Sequence, residues 1–359
     1  MERQRIDGIG QYTRALVEAL DSRDDCDVVR ALYQNESLAP GSHHFRGRFL
    51  TNALRARFLA QGFQFDPTEK LDLYHATDHR IPRLKHTPVV ATLHDAVPFK
   101  HPEWANPRLR RSKNWLMRQT ARWADHVICD TESAVAEVVR YWGVPERKIS
   151  VVHLGVDQQR FTSLDSTSLS SLRMRMQLPE QFVLFIGTLQ PRKNLTALLE
   201  AHMALPEPLR KAFPLVIAGR TASGVQHTRE LLLKQQAQGY VKLLGYVDDE
   251  DVPGLYQCAT LFALPSLHEG FGMPVLEAFA SGAPVICSGG GAMQEIAGDA
   301  ACFFDPESVE SLRSALHNLL ADEALRQAYK AAGQNRVRQF SWQQTAKDTL
   351  AVYQAVLSR

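Results

Sequence analysis

From residue 71 onward, the chain alternates two textures. Short apolar runs of strand length recur at Leu71–His75, Pro88–Asp95, His126–Cys129, Ile149–Leu154, Phe182–Gly187, Pro214–Gly219, Val241–Val247, Thr260–Leu264 and Pro284–Cys287. Between them lie stretches whose apolar residues return at helical spacing, such as Ala134–Trp142, Leu195–Ala204 and Pro274–Ala280. Near-continuous apolar strands alternating with helices predict parallel sheets covered on both faces. The alternation pauses in a Ser/Thr/Leu-rich stretch from Gly155 to Leu172, so that stretch marks a boundary between two such arrays.

The front of the chain is less regular. Asp7-Gly8-Ile9-Gly10-Gln11-Tyr12-Thr13 leads into a helix whose apolar residues include Ala15, Leu16, Ala19 and Leu20, and a short strand is expected between Asp27 and Leu32. Phe45, Phe49, Leu50, Leu54, Phe58 and Leu59 then recur among Arg46, Arg48, Arg55 and Arg57, which predicts an amphipathic basic helix. Its apolar side could pack on the domain core, or it could face an anionic membrane.

Composition narrows this picture. A chain of 359 residues suits two domains, and 45% hydrophobic with 22% charged residues is ordinary for a globular protein. The five cysteines are odd in number and widely spaced, without a C-x-x-C pair, so buried thiols in a reducing compartment are expected. With no signal-peptide pattern and no run of eighteen apolar residues, the expected location is the cytoplasm. Net charge is only +2, but a second acid-free segment, Pro107–Arg122, carries Arg108, Arg110, Arg111, Lys113, Arg118 and Arg122.

Candidate chemistry gathers at loops between strands and helices. Leu264–Gly282 reads LPSLHEGFGMPVLEAFASG: a strand, a glycine loop, and a helix begun by Pro274. Such a place binds anions through converging N–H groups and the helix dipole. Glu277 sits among apolar residues and needs donors, which a ligand or the loop itself could supply. Arg192 and Lys193 follow the strand Phe182–Gly187 and would balance a diphosphate, whereas on a bare surface they would mean nothing. His75 and His94 each end a strand, where ligands of open α/β sheets bind. Asp248-Asp249-Glu250-Asp251 reads as carboxylates at a helix N-terminus, and no metal-ligand spacing is visible.

Glu269-Gly270-Phe271-Gly272-Met273-Pro274 followed by Val275-Leu276-Glu277, with its two glutamates eight positions apart, resembles the signature of retaining nucleotide-sugar glycosyltransferases of family 4 (group 1). The resemblance continues in order along nearly the whole chain. Gly8–Thr13, Gly187–Leu195 and Ile296–Ala301 are similar to the bacterial mannosyltransferase-like branch that builds surface polysaccharide. It implies an α/β protein of GT-B fold: two Rossmann-like domains facing across a cleft, residues 1–160 binding the acceptor and 161–340 the donor, with a C-terminal helix, 341–359, crossing back to the first domain. It implies metal-independent hexose transfer with retention, mannose from GDP-mannose being favoured over other GDP- or UDP-linked donors, and no cofactor.

By the same correspondence Arg192 and Lys193 take the diphosphate, helped by Gly8, Gly10 and the helix after Gly272. Glu269 takes hydroxyls of the transferred sugar beside Gly270, Phe271 and Gly272, while Glu277 takes the ribose hydroxyls and His94 the sugar. The acceptor is expected to be a glycan or a lipid-linked saccharide and nucleic acid no partner, and the two basic N-terminal segments could hold the cytoplasmic enzyme at the inner face of the plasma membrane. Two departures stand out: Thr188 where many members carry arginine, and Gln294 where proline is usual. Members also begin with an apolar strand, yet only Met1–Ile6 precedes Asp7 here, so the natural product is expected to start upstream or to fill that place with another segment. A glycosidase with paired carboxylates and a noncatalytic sugar-nucleotide binding module are the rival readings.

Overall fold

The computed structural model describes residues 8–33, 43–45, 48–59, 61–63, 71–104, 109–162, 164–220 and 226–359. The segment Met1–Asp7, with the expectation of a further strand there, and Arg46 and Arg108 lie outside the described residues. The chain divides into two compact units, one made of Met1–Gly155 with Trp342–Arg359, the other of Val156–Ser341. Both are α/β units built on parallel sheets.

In the first unit β1 (Ala31–Tyr33) pairs in parallel with β2 (His43–Phe45), and a four-stranded parallel sheet runs in the order β3 (Tyr74–Ala76), β4 (Val89–Thr92), β5 (His126–Cys129), β6 (Ile149–Val151). Alternation along the central strands divides the core in two. Val89, Ala91, Val127 and Cys129 join Ala121, Val138, Trp142 and Val144. Val90 and Ile128 meet Val152, Val352 and Val356, so the last helix, Trp342–Leu357, closes the second face. Both central strands are buried along their length, as parallel strands require.

Two expectations shift here. The strand expected over Asp27–Leu32 runs from Ala31 to Tyr33. The basic segment opens as β2, and its helix spans only Phe49–Phe58. Ala53 and Ala56 form the buried side of that helix, while Leu50, Leu54 and Phe58, with Leu59 at its end, stand exposed. Small residues permit close packing, so the large apolar ones are left outside.

The second unit holds a six-stranded parallel sheet in the order β12 (Cys302–Phe304), β11 (Val285–Ser288), β10 (Leu261–Leu264), β7 (Val183–Ile186), β8 (Leu215–Ala218), β9 (Val241–Gly245). On one face Val183, Phe185, Leu215 and Ile217 pack against Leu195, Leu198 and Leu199 and against Leu312, Leu316 and Leu319. The strand order reverses between β7 and β10, which pair through Leu261 opposite Val183. At such a switch point the loops beyond the carboxyl ends part and leave room for a ligand.

Candidate active site

The loops that follow β7 and β10 carry most of the sequence-predicted residues. After β7 the chain makes a short turn, Pro191–Lys193, and Asn194 takes a left-handed conformation before the helix Leu195–Met203. After β10 it runs through Ser266 and Glu269 to the helix Met273–Ala280. The amide of Leu267 donates to the carbonyl of Arg192 at 2.8 Å, which laces the loops together across the switch point.

Glu269 is the hub of this place. Its Oε2 accepts from Arg192 Nη1 at 3.0 Å, and its Oε1 accepts from Lys193 Nζ at 2.5 Å and from Ser266 Oγ at 2.6 Å. Burial by itself would raise the Glu269 carboxyl, but the charges of Lys193 and Arg192 with the bonds from Lys193 and Ser266 outweigh it and bring it down to about 2. Lys193 is buried, and burial presses its ammonium below the ordinary lysine value against the pull of Glu269. The two cations thus face a carboxylate already in place.

Gly272 precedes the helix Met273–Ala280 at φ +105°, a region that favours glycine, and a Cβ there would meet Met293 Cε at 2.2 Å. The N-cap residue of that helix, Gly272, has no side chain to cap the helix start and no acid lies in the first turn, so its backbone donors and dipole favour an anion. Gly219, at the end of β8, lies so close to Gly187 after β7 that a Cβ would fall 1.9 Å from the Gly187 carbonyl oxygen. Glu277, four residues into the helix, is partly buried, and its Oε2 accepts from Tyr256 Oη at 3.0 Å. Burial raises its carboxyl and the Tyr256 bond works against that rise.

The first unit places Gly8 and Gly10 in the first turn of the helix Gly8–Asp21, not in a loop before it. His94 lies just beyond β4. Its Nδ1 donates to Asp130 Oδ2 at 2.7 Å and its Nε2 to the Thr77 carbonyl at 3.1 Å, and the Tyr12 ring packs edge-on with centroids 4.8 Å apart. Burial would lower this imidazole, but the charge and hydrogen bond of Asp130, helped by the Thr77 carbonyl, raise it to about 9. His94 is therefore an imidazolium at neutral pH. His75 differs: held between Tyr353 Oη at 2.7 Å and Thr92 Oγ1 at 2.8 Å, it is driven by burial, and then by the charge of His94, down to about 3.

Four partners escaped the sequence reading: Ser266, Tyr256, Asp130 and Thr77. Asp130 directly follows β5 and could have been found by the same strand-end argument that singled out His94. Tyr256 lies 21 positions from Glu277 on a separate helix, Val252–Cys258, and no local pattern links them. The acidic run Asp248–Asp251 precedes that helix, where Asp251 pairs with Arg175 at 2.6 Å. Among the described residues no group of three or more His, Cys, Asp or Glu is arranged to hold a metal ion.

Comparison with known proteins agrees with this architecture. Residues 6–160 match the model of Glycosyltransferase Family 4 and residues 175–336 that of Glycosyl transferases group 1. The O-antigen chain mannosyltransferase B of Escherichia coli is 28% identical over 97% of this chain and 96% of its own length. The serotype-specific mannosyltransferase WbdA of Escherichia coli is 30% identical over 72% of this chain, a match that spans 32% of that protein. Among solved structures, sucrose-phosphate synthase from Thermosynechococcus elongatus superposes with a TM-score of 0.74 at 20% identity, covering 98% of this chain and 94% of that one. With its two parallel-sheet units and its halves matching the two models end to end, the chain belongs to the group 1 glycosyltransferases of GT-B fold.

Proposed function

We propose that this glycosyltransferase moves a hexose, mannose, from a nucleoside diphosphate sugar, GDP-mannose, to a glycan or lipid-linked saccharide, with retention of anomeric configuration and without a metal ion, in the synthesis of bacterial surface polysaccharide. One observation carries the reading: Arg192 and Lys193 meet at the switch point of the second unit, beside a helix start whose N-cap residue, Gly272, has no capping side chain. Cations and helix donors together suit a diphosphate, and the charge of that group grows as the glycosidic bond breaks. The similarity to two bacterial mannosyltransferases supports the choice of sugar.

Glu269 gives the cluster a sequence of events. It holds both cations before the donor arrives; the diphosphate takes over as their partner and leaves Glu269 able to accept from hydroxyls of the sugar. Gly270, Phe271 and Gly272 line the same loop, and Glu277, held by Tyr256 on one oxygen, uses its other for the ribose hydroxyls. Gly8 and Gly10 are assigned to the donor's phosphates and His94 to the sugar, as the resemblance implies. Arg192, Lys193 and the helix dipole then stabilise the departing nucleoside diphosphate, and no residue needs to form a covalent bond.

The test is release of nucleoside diphosphate across a panel of GDP-, UDP- and ADP-hexoses, with and without saccharide acceptors. Release that depends on the acceptor and is fastest with GDP-mannose supports the reading. Glycan cleavage without nucleotide, as a glycosidase would give, or nucleotide-sugar binding without turnover, overturns it.

A further inference from the structure

Large apolar side chains normally leave the surface of a protein in contiguous groups only where something covers them. Here Leu50, Leu54, Phe58 and Leu59 are 58%, 40%, 67% and 63% exposed, and Leu109 and Trp115 are 73% and 40% exposed. Leu50, Leu54 and Phe58 follow one another at four-residue spacing, so they form one stripe of the helix Phe49–Phe58. That stripe continues onto a second helix, Arg110–Ala121, because the rings of Phe58 and Trp115 stack with centroids 6.2 Å apart. The contact is fixed beside them by Arg57 Nε donating to Gln119 Oε1 at 3.3 Å. Below, Ala53 and Ala56 are fully buried, and Arg83 donates to the Ala56 carbonyl at 3.0 Å, so this helix is seated with its apolar stripe outward.

The charges carried by the two helices have one sign. Neither helix contains an Asp or Glu, and Arg48, Arg55, Arg57, Arg111, Lys113 and Arg122 are all exposed around it. We propose that this two-helix face docks on the surface of an anionic lipid bilayer, with Leu50, Leu54, Phe58, Leu59 and Trp115 in the acyl boundary and the cations among the headgroups. Leucine and aromatic residues flanked by arginine and lysine have the composition of an interfacial helix. The cations of these two acid-free helices have their charge complement in anionic headgroups, and each cation near such a surface strengthens binding by about fivefold. No described helix is long and apolar enough to cross a membrane, so contact of this kind is peripheral.

This inference deepens the lipid-linked acceptor of the proposed function and rests on it only for its purpose. Vesicle binding is therefore measured without donor or acceptor, and the two readings fail separately. The protein is sedimented with vesicles of phosphatidylcholine alone and of phosphatidylcholine mixed with phosphatidylglycerol, while Trp fluorescence is followed with brominated lipid as quencher. The parent should bind the mixed vesicles, lose binding as salt rises, and show quenching that disappears in Trp115→Phe. Leu54→Ser/Phe58→Ser should reduce binding at least tenfold, and Arg55→Ser/Arg111→Ser/Lys113→Ser about a hundredfold. All these positions are exposed, so circular dichroism and melting should match the parent. Equal binding to neutral and anionic vesicles overturns the proposal, as does unchanged binding by either variant. So does absence of vesicle binding by a parent that instead self-associates through Phe58.

Discussion

Replacing Asp130 by asparagine should reveal how strongly the first unit fixes the charge of His94. The His94 side chain is 17% exposed and that of Asp130 2%, so water screens their 2.7 Å contact little. Raising the imidazole from 6.5 to about 9 corresponds to about 3 kcal/mol, at roughly 1.4 kcal/mol per unit. The folded value lies above the unfolded one. This stability is therefore fully present below about pH 6.5 and is lost as pH rises through about 9.

In Asp130→Asn burial, the first cause, is opposed only by the weaker effects of the Thr77 carbonyl and the charge of Asp95, so His94 should titrate below its ordinary value and the loss between about pH 6.5 and 9 should vanish. Two measurements check this: NMR titration of the His94 ring in parent and variant, and denaturant unfolding of both at several pH values across that window. The difference in unfolding free energy between parent and variant should shrink by about 3 kcal/mol from the acid to the alkaline end. Parent His94 titrating at or below about 6.5, or a pH dependence that Asp130→Asn leaves unchanged, would show that Asp130 does not fix the charge of His94.

Other perturbations address the second unit. Lys193→Ala should lower kcat at saturating donor at least tenfold, because the charge it meets grows in the transition state; an unchanged kcat would remove Lys193 from catalysis. Glu277→Gln should weaken binding of free nucleoside diphosphate by roughly tenfold to a hundredfold, the worth of charge-assisted hydrogen bonds, and calorimetry reads it directly. Tyr256→Phe should move that affinity in the same direction by a smaller factor, since it removes only the bond that orients Glu277.

The fold was legible because parallel strands announce themselves as apolar runs: Phe182–Gly187 contains β7, Pro214–Gly219 contains β8 and Thr260–Leu264 contains β10. It was least legible where size and polarity pointed apart. In the helix Phe49–Phe58 the pattern of large apolar residues left core and membrane faces open, and the buried side proved to be Ala53 and Ala56. In the candidate site the residue types and loops could be read, but not their pairings. Glu269 binds Arg192 and Lys193 from 77 and 76 positions away, and Tyr256 reaches Glu277 between helices, contacts that only the folding of the sheet creates. The protonation of His94 depends on Asp130, 36 positions on, for the same reason.

Retaining transfer of mannose from a nucleotide sugar can be followed directly by proton NMR of a reaction containing GDP-α-mannose and a saccharide acceptor. It predicts a new glycosidic anomeric signal of α configuration from the first turnover, rising with the GDP released. A β product, free mannose in place of a glycoside, or donor left intact while another nucleotide sugar is consumed would contradict it.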